Sequence, residues 1–380
     1  MIELNNATFW LACIVGVLIL ATARSGPARR YLLAGLNFAF LGLILRWKVL
    51  GLGGAVLAAY LLLQLIARRH GWKLVTTALS LALLGLFVLH KRPDLTTHFG
   101  LGPLGAVLSV VGYSYVALRM VEVLRAVVEG RQAPPDLASL INYLLPFHML
   151  AAGPIQAYDD FLGQPAVPDA LSAREVLAAI ERIAAGLFKK FVLAFILQKL
   201  FLTDFHANGI YFLIELQMFF VWLYLDFSAY SDIALGVGAL IGVATPENFN
   251  RPLLARDVVD FWERWHISLS QFIRRNLFIP IQLYLMRRND GRAPLLAAIV
   301  AVTISFVLCG LWHGLSVGFL LWGIGQAAGL VVARVYGHVL QVRLGKKRYK
   351  AYLANPWVRT VAILITFEFE ACTLVALFIA

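Results

Sequence analysis

Apolar runs separated by short polar segments recur along the whole chain: Phe9 to Ala23, Tyr31 to Leu45, Leu52 to Ala67, Leu74 to Leu89, Leu104 to Leu118, Leu137 to Ala152, Phe188 to Leu202, Ile210 to Leu225, Ile233 to Val243, Leu295 to Trp312, Val317 to Val335 and Val358 to Ala380. This pattern predicts an all-α, polytopic membrane protein with about 10–12 transmembrane or re-entrant helices. Several runs fall short of the roughly 20 residues that a hydrocarbon core of ~30 Å demands, so tilted spans, re-entrant segments and helices buried by their neighbours are expected. The first run begins close to Met1 with no basic segment before it, and Ala23-Arg24-Ser25 leads into another apolar run. The N-terminus is therefore expected to stay on as helix one.

The polar interruptions mark the organisation. Up to residue 110 the chain is built mostly of Leu, Ala, Val and Gly and reads as scaffold helices. Near Gly112 the character changes: Arg119, Glu122, Arg125 and Glu129 fall at three- and four-residue spacing on one stripe, as in a helix reaching the membrane interface. A span is expected to end at Gly153-Pro154 and exit into a polar turn at Tyr158-Asp159-Asp160. Beyond a break from Pro165 to Pro168, Ser172-Ala173-Arg174-Glu175 has the capping-box pattern and opens an interfacial helix that turns apolar after Lys189 and Lys190. The parts are 1–110 as scaffold, 111–335 as core and 336–380 as a basic loop and last helix, all of one integral membrane domain.

Composition agrees, with 61% of residues hydrophobic and 14% charged, too few polar side chains to clothe a soluble body of 380 residues. The formal charge of +12 concentrates between apolar runs. Counted by the positive-inside rule, it places the Arg251 to Arg292 region and the Lys346-Lys347-Arg348 loop near the cytosol, although Arg46, Lys48, Lys91 and Arg92 run against strict alternation. Charges distributed in this way suit lipid head groups and topology, and nucleic acid is not expected as a partner. Cys13, Cys309 and Cys372 each lie in an apolar run without C-x-x-C spacing, so neither a disulfide framework nor a metal site is expected.

Ionisable groups at membrane depth cost about 2.5–3.5 kcal/mol and call for a partner or a function. Three clusters qualify. In Asp226-Phe227-Ser228-Ala229-Tyr230-Ser231-Asp232, carboxylates and hydroxyls interrupt an apolar run and suggest helix ends, the carboxylates serving as caps, as partners of a buried arginine, or as catalytic groups. In Phe261 to Arg275, a continuous helix would put Trp262, His266, Ser270 and Arg274 on one stripe beside the apolar stripe Phe261, Trp265 and Leu269. Taken alone, His266 is either a polar residue at the interface or a functional one. In Cys309-Gly310-Leu311-Trp312-His313-Gly314, a lone imidazole ends an apolar span, flanked by glycines that permit close approach. It is either hydrogen-bonded structure or the working group.

In order, Ala-Gly-Pro-Ile at Ala152 to Ile155, Asp-Phe-Ser-x-Tyr-Ser-Asp at Asp226 to Asp232, Pro-Glu-Asn-Phe-Asn-Arg-Pro at Pro246 to Pro252, Phe-Trp-x-Arg-Trp-His-x-Ser-Leu-Ser at Phe261 to Ser270 and Leu-Trp-His-Gly at Leu311 to Gly314 resemble the membrane-bound O-acyltransferases, specifically the bacterial branch that acylates cell-envelope polymers. Two subgroups compete, D-alanyl transfer to teichoic acids and acetyl transfer to polysaccharides such as alginate. The long segment between the two histidines looks more like the former. The stretch Phe278-Ile279-Pro280-Ile281-Gln282-Leu283 lacks the Gly-Gly usual in the acetyl subgroup, and Arg274-Arg275-Asn276 stands where both usually carry Arg-Asp-Tyr.

The resemblance implies a catalytic base at His313 inside a tunnel through the membrane and a second functional histidine at His266. Asp226, Ser228, Tyr230, Asp232, Asn250, Trp262, Trp265, Ser270, Arg274 and Trp312 are implied as tunnel or supporting residues. It further implies no bound cofactor, a thioester donor on a phosphopantetheinyl acyl carrier protein or acyl-CoA at the cytosolic face, an extracytoplasmic partner acyltransferase, and a bacterial inner or plasma membrane location. An acyl-enzyme on Cys309, one helical turn before His313, is a lesser alternative. A transporter or flippase of an envelope lipid, and a non-catalytic scaffold for a secreted transferase, fit the composition as well.

Overall fold

The computed structural model describes residues 7–22, 26–68, 73–100, 105, 112–164, 171–202 and 209–378. The end of the first apolar run with Ala23-Arg24-Ser25, most of the 104–118 run before Gly112, and the Pro165 to Pro168 break lie outside the described residues. The chain is all-α and polytopic. Its described helices are α1 (Ala7–Thr22), α2 (Gly26–Leu45), α3 (Lys48–Arg68), α4 (Lys73–Lys91), α5 (Pro93–His98), α6 (Tyr113–Val128), α7 (Leu137–Leu144), α8 (Tyr158–Leu162), α9 (Ala173–Phe188), α10 (Phe195–Phe201), α11 (Gly209–Leu240), α12 (Val258–Arg264), α13 (Ile267–Ile273), α14 (Ile279–Arg288), α15 (Pro294–His313), α16 (Val317–Ala354) and α17 (Pro356–Thr373). Among the described residues, α2, α3, α11, α15, α16 and α17 with the turn after it are long and apolar enough to cross a membrane, and α1, α4 and the α7 region contribute shorter apolar helices.

The chain divides into two compact units, 1–185 with 230–246 and 186–229 with 247–380, so the polypeptide passes from one to the other within α9 and within α11. In the first unit, the irregular stretch after α7 must satisfy its carbonyl groups without water. Arg119 on α6, wholly buried, does this by donating to the carbonyl oxygens of Leu144 at 3.3 Å, Met149 at 3.4 Å and Pro154 at 3.2 Å. The expected interfacial stripe is therefore half internal. Arg119 and Glu122 are buried, while Arg125 and Glu129 pair on the exposed end at 2.7 Å. Gly112, at φ 85°, begins α6 where a Cβ would lie 2.1 Å from the Leu150 carbonyl oxygen, so close backbone approach requires glycine there. The capping box at Ser172 forms as expected, with the Glu175 carboxylate accepting from the Ser172 backbone N–H at 2.8 Å.

The second unit holds the cluster around Phe220, Phe261, Trp262, Trp265, Phe306 and Leu330. Two expectations are corrected here. α11 runs unbroken from Gly209 to Leu240, through the Asp226 to Asp232 segment that its polar residues suggested would interrupt it. Its acids are accommodated laterally: Asp226 pairs with Lys190 in the second unit, and Asp232 accepts from Arg182 at 2.6 Å in the first. The expected basic loop at Lys346-Lys347-Arg348 is helical, because α16 turns back on itself at Gly345 and the returning arm sets the Tyr352 hydroxyl 2.9 Å from that of Tyr336.

Candidate active site

The helix expected from Phe261 to Arg275 breaks at its histidine. α12 ends at Arg264, Trp265 is extended and pairs with Phe249, and His266 takes a left-handed backbone at φ 43° before α13 begins at Ile267. The pairing is backbone-made, with Asn250 N–H donating to Arg264 at 2.9 Å and Ile267 N–H donating to Asn248 at 3.0 Å. A four-residue stripe through Trp262, His266, Ser270 and Arg274 consequently does not exist, because the strap at 248–250 captures the strand-like Trp265. Left-handed backbone at a non-glycine residue costs of order 1–3 kcal/mol and persists where surrounding contacts enforce it.

Asp260 anchors the start of this motif. Its carboxylate accepts from Arg256 N–H at 2.9 Å and Arg264 Nε at 2.6 Å. Burial pushes this carboxyl upward, but the Arg264 hydrogen bond and the backbone of Arg256 outweigh it and hold the group below the usual carboxylate range. Its stabilising contribution is thus complete above the unfolded value of ~3.9 and is lost as pH falls through the lower folded value. Asp260→Asn is expected to cost about 1 kcal/mol at neutral pH, read as a lower melting temperature in detergent, with the gap to wild type closing in strong acid.

Asn248, fully buried, organises His266. Its Oδ1 accepts from Ser268 N–H at 3.2 Å and Ser268 Oγ at 2.8 Å, and lies 3.1 Å from His266 Nδ1. A backbone N–H can only donate, so the amide atom facing Ser268 is the oxygen. His266 Nδ1 must then carry the proton that reaches it. In the neutral ring Nε2 therefore keeps its lone pair, and that atom is buried with no hydrogen-bond partner. Burial first, and the neighbouring His313 second, push His266 down to about 3, so the ring is neutral throughout the physiological range.

His266 and His313 line one cavity of about 220 Å³, walled by Phe227, Trp262, Trp265 and Trp322 among others. Phe227 meets the His266 ring edge-on at 4.8 Å, and Trp322 meets that of His313 at 5.3 Å. His313 is the last residue of α15, and Gly314 leaves it in extended backbone. The flanking glycine spacing has a packing role: a Cβ on Gly310 would lie 2.3 Å from the Phe319 carbonyl oxygen, where α15 and α16 cross at Gly323. Gly310→Ala is expected to cost about 1–3 kcal/mol by overpacking, seen as a lower melting temperature and a displaced His313 with reduced turnover.

The other expected residues scatter. Trp262 and Trp265 line the cavity. Trp312 touches the His313 ring at 4.7 Å. Ser270 bonds back to the Trp265 carbonyl at 3.4 Å, and Arg274 and Asn250 are exposed. Asp226 and Ser228 face Lys190 and Lys189, whereas Tyr230 and Asp232 belong to the first unit, where the Tyr230 hydroxyl donates to His148 O at 3.3 Å. Cys309 is buried in α15 and is not among the residues lining the cavity. Sequence reasoning passed over Asn248, Phe227, Gln326, Trp322 and Glu370. Of these only Glu370 carried a readable signal, an acid inside an apolar run.

The family model for MBOAT, the membrane-bound O-acyltransferase family, matches residues 57–374. The chain is 26% identical over 292 residues to a teichoic acid D-alanyltransferase of Bacillus subtilis, covering 74% of this chain and 70% of that protein. It is 30% identical over 279 residues to the enzyme of the same name in Streptococcus thermophilus, covering 69% of this chain and 66% of that one. A peptidoglycan O-acetyltransferase of Helicobacter pylori is 31% identical over 244 residues, which cover 62% of this chain and 42% of that protein.

Proposed function

Because the chain belongs to the membrane-bound O-acyltransferase family, we propose that it moves a small acyl group, D-alanyl or acetyl, from a cytosolic thioester to a hydroxyl of an envelope polymer or partner protein. The observation that carries this reading is the cavity shared by His266 and His313, with a bare imidazole nitrogen on the former.

In the proposed step the acceptor oxygen forms a bond to the thioester carbonyl carbon while the carbon–sulfur bond breaks. The hydroxyl proton passes to His313, and from there to the departing thiolate. A thiol with a reference pKa of ~8.5 leaves with little acid help, whereas the hydroxyl is a poor nucleophile and profits from a base, so one neutral histidine suffices. His266, whose depressed basicity makes it a weak base, accepts a hydrogen bond at Nε2 and positions a reactant instead. The apolar walls exclude water, which would otherwise intercept the thioester.

The donor is a phosphopantetheinyl acyl carrier protein or acyl-CoA as substrate, met at the basic cytosolic face, and no resident cofactor takes part. An extracytoplasmic acyltransferase completes delivery, and the protein sits among the lipids of a bacterial inner or plasma membrane. Purified protein in lipid, given radiolabelled D-alanyl carrier protein and acetyl-CoA in parallel, is expected to consume one of them. Failure to consume either while moving an envelope lipid between leaflets would replace this reading with a flippase.

A further inference from the structure

A carboxyl group stands in the wall of the same cavity without a role in the step just described. Glu370 on α17 is 3% exposed and lines the cavity with both histidines. Its Oε2 accepts from Gln326 Nε2 at 2.8 Å, and its Oε1 is buried with no hydrogen-bond partner.

The donors next to that oxygen among the described residues are committed elsewhere. Trp262 Nε1, which can only donate, reaches Gln326 Oε1 at 2.9 Å, and this fixes which end of the Gln326 amide is oxygen. The Gln326 amino group then has two hydrogens, and both are committed, one to Glu370 and one to Thr373 Oγ1 at 3.0 Å. The Thr373 hydroxyl is itself spent on the Glu370 carbonyl oxygen at 2.8 Å. Glu370 thus receives one neutral donor, and a carboxylate at membrane depth is not offset by one amide.

Neither lysine nor arginine is among the residues that line the cavity, and its walls suit a cation. Trp262, Trp265, Trp322, Phe220, Phe227 and Phe261 line it. Aromatic faces attract ammonium groups, the more strongly where water is excluded. A volume of about 220 Å³ admits a short acyl group.

We propose that Glu370 reads an ammonium group on the acyl chain, so that this cavity selects an aminoacyl thioester over a simple acyl one. The inference rests on the acyl-transfer reading of the cavity and specifies its substrate class. An α-amino group has a reference pKa of ~7.7–8.0 and is largely charged at neutral pH. Placed beside Oε1 it supplies both the missing donor and the missing charge. Glu370 touches the acyl group but takes no part in the bonds that form and break.

The test compares isosteric pairs on the full chain in lipid nanodiscs. D-alaninamide and isobutyramide differ in ammonium against methyl, and binding is followed by tryptophan fluorescence, since three tryptophans line the cavity. The wild-type protein is expected to bind D-alaninamide at least tenfold more tightly than isobutyramide, and Glu370→Gln to lose that preference. Equal binding of the two amides, no response to either, or a Gln variant that keeps the preference overturns the proposal. The wild-type comparison decides even if the variant fails to fold.

In parallel, consumption of D-alanyl- and isobutyryl-pantetheine thioesters is measured, with an expected preference of tenfold or more for D-alanyl in the wild type. Ammonium-selective binding without turnover of either thioester would sink the acyl-transfer reading and leave the site standing. Turnover of both thioesters at similar rates would do the reverse.

Discussion

Replacing His313 by alanine is expected to lower acyl transfer by ~10² to 10⁴, the usual contribution of a general base, without unfolding the protein. The ring sits at the last position of α15, where truncation leaves the helix hydrogen bonds intact, and its ring contacts include Trp312, Phe319 and Trp322. Losing those ring contacts creates space at the cavity edge rather than inside a close-packed core, so a modest drop in melting temperature should accompany a large drop in rate. The measurement is turnover of labelled thioester donor by purified, monodisperse protein in lipid. Near-normal turnover would remove His313 from the chemistry.

The second large effect is expected at Asn248. Asn248→Ala removes the oxygen that receives three donors and frees the His266 ring to rotate and change tautomer. A loss of ten- to a hundredfold in turnover is expected, of the order seen when a hydrogen bond that orients a functional histidine is removed. Asn248→Asp is more informative. It keeps the acceptor but sets a negative charge against the ring, which raises the imidazole pKa and favours a proton on Nε2. The Asp variant should therefore lose activity at low pH and recover as pH rises through the elevated value, an acid limb displaced to higher pH than the one the His313 base gives wild type. Equal activity of both variants at every pH would show that the His266 tautomer is irrelevant.

Membrane class and helix content were legible in the sequence because each rests on average hydrophobicity over many residues. The two histidines were legible because an imidazole in an apolar setting stands out. What failed was local geometry at the same places. Nothing in Phe261 to Arg275 announces a break, since Trp265 and His266 are acceptable helix residues, and the break is imposed by a backbone strap at Asn248 to Asn250 that is distant in helical register. The acids and hydroxyls of Asp226 to Asp232 suggested an interrupted helix, yet Lys190 and Arg182 approach from the side and let α11 continue. Asn248 and Asn250, spaced by two in an irregular segment, cannot be told apart in the sequence, and the fold turns Asn248 inward and leaves Asn250 exposed. Glu370 stands out as an acid inside the Val358 to Ala380 run, but Glu368 two residues before it carries the same signal, and only the fold turns Glu370 into the cavity.

The left-handed backbone at position 266 limits which amino acids can replace the histidine before any chemistry is asked of them. Outside glycine, that conformation is most readily taken by asparagine, aspartate and histidine itself. An alanine there combines loss of the imidazole with a strained main chain, so a defective His266→Ala protein says little about the ring alone. Asparagine is the fair substitute, because it tolerates the main chain and brings a side-chain oxygen that can accept. In a saturation library, the survivors at 266 should be ranked first by folding yield and only then by turnover, since two separate filters act on the one residue.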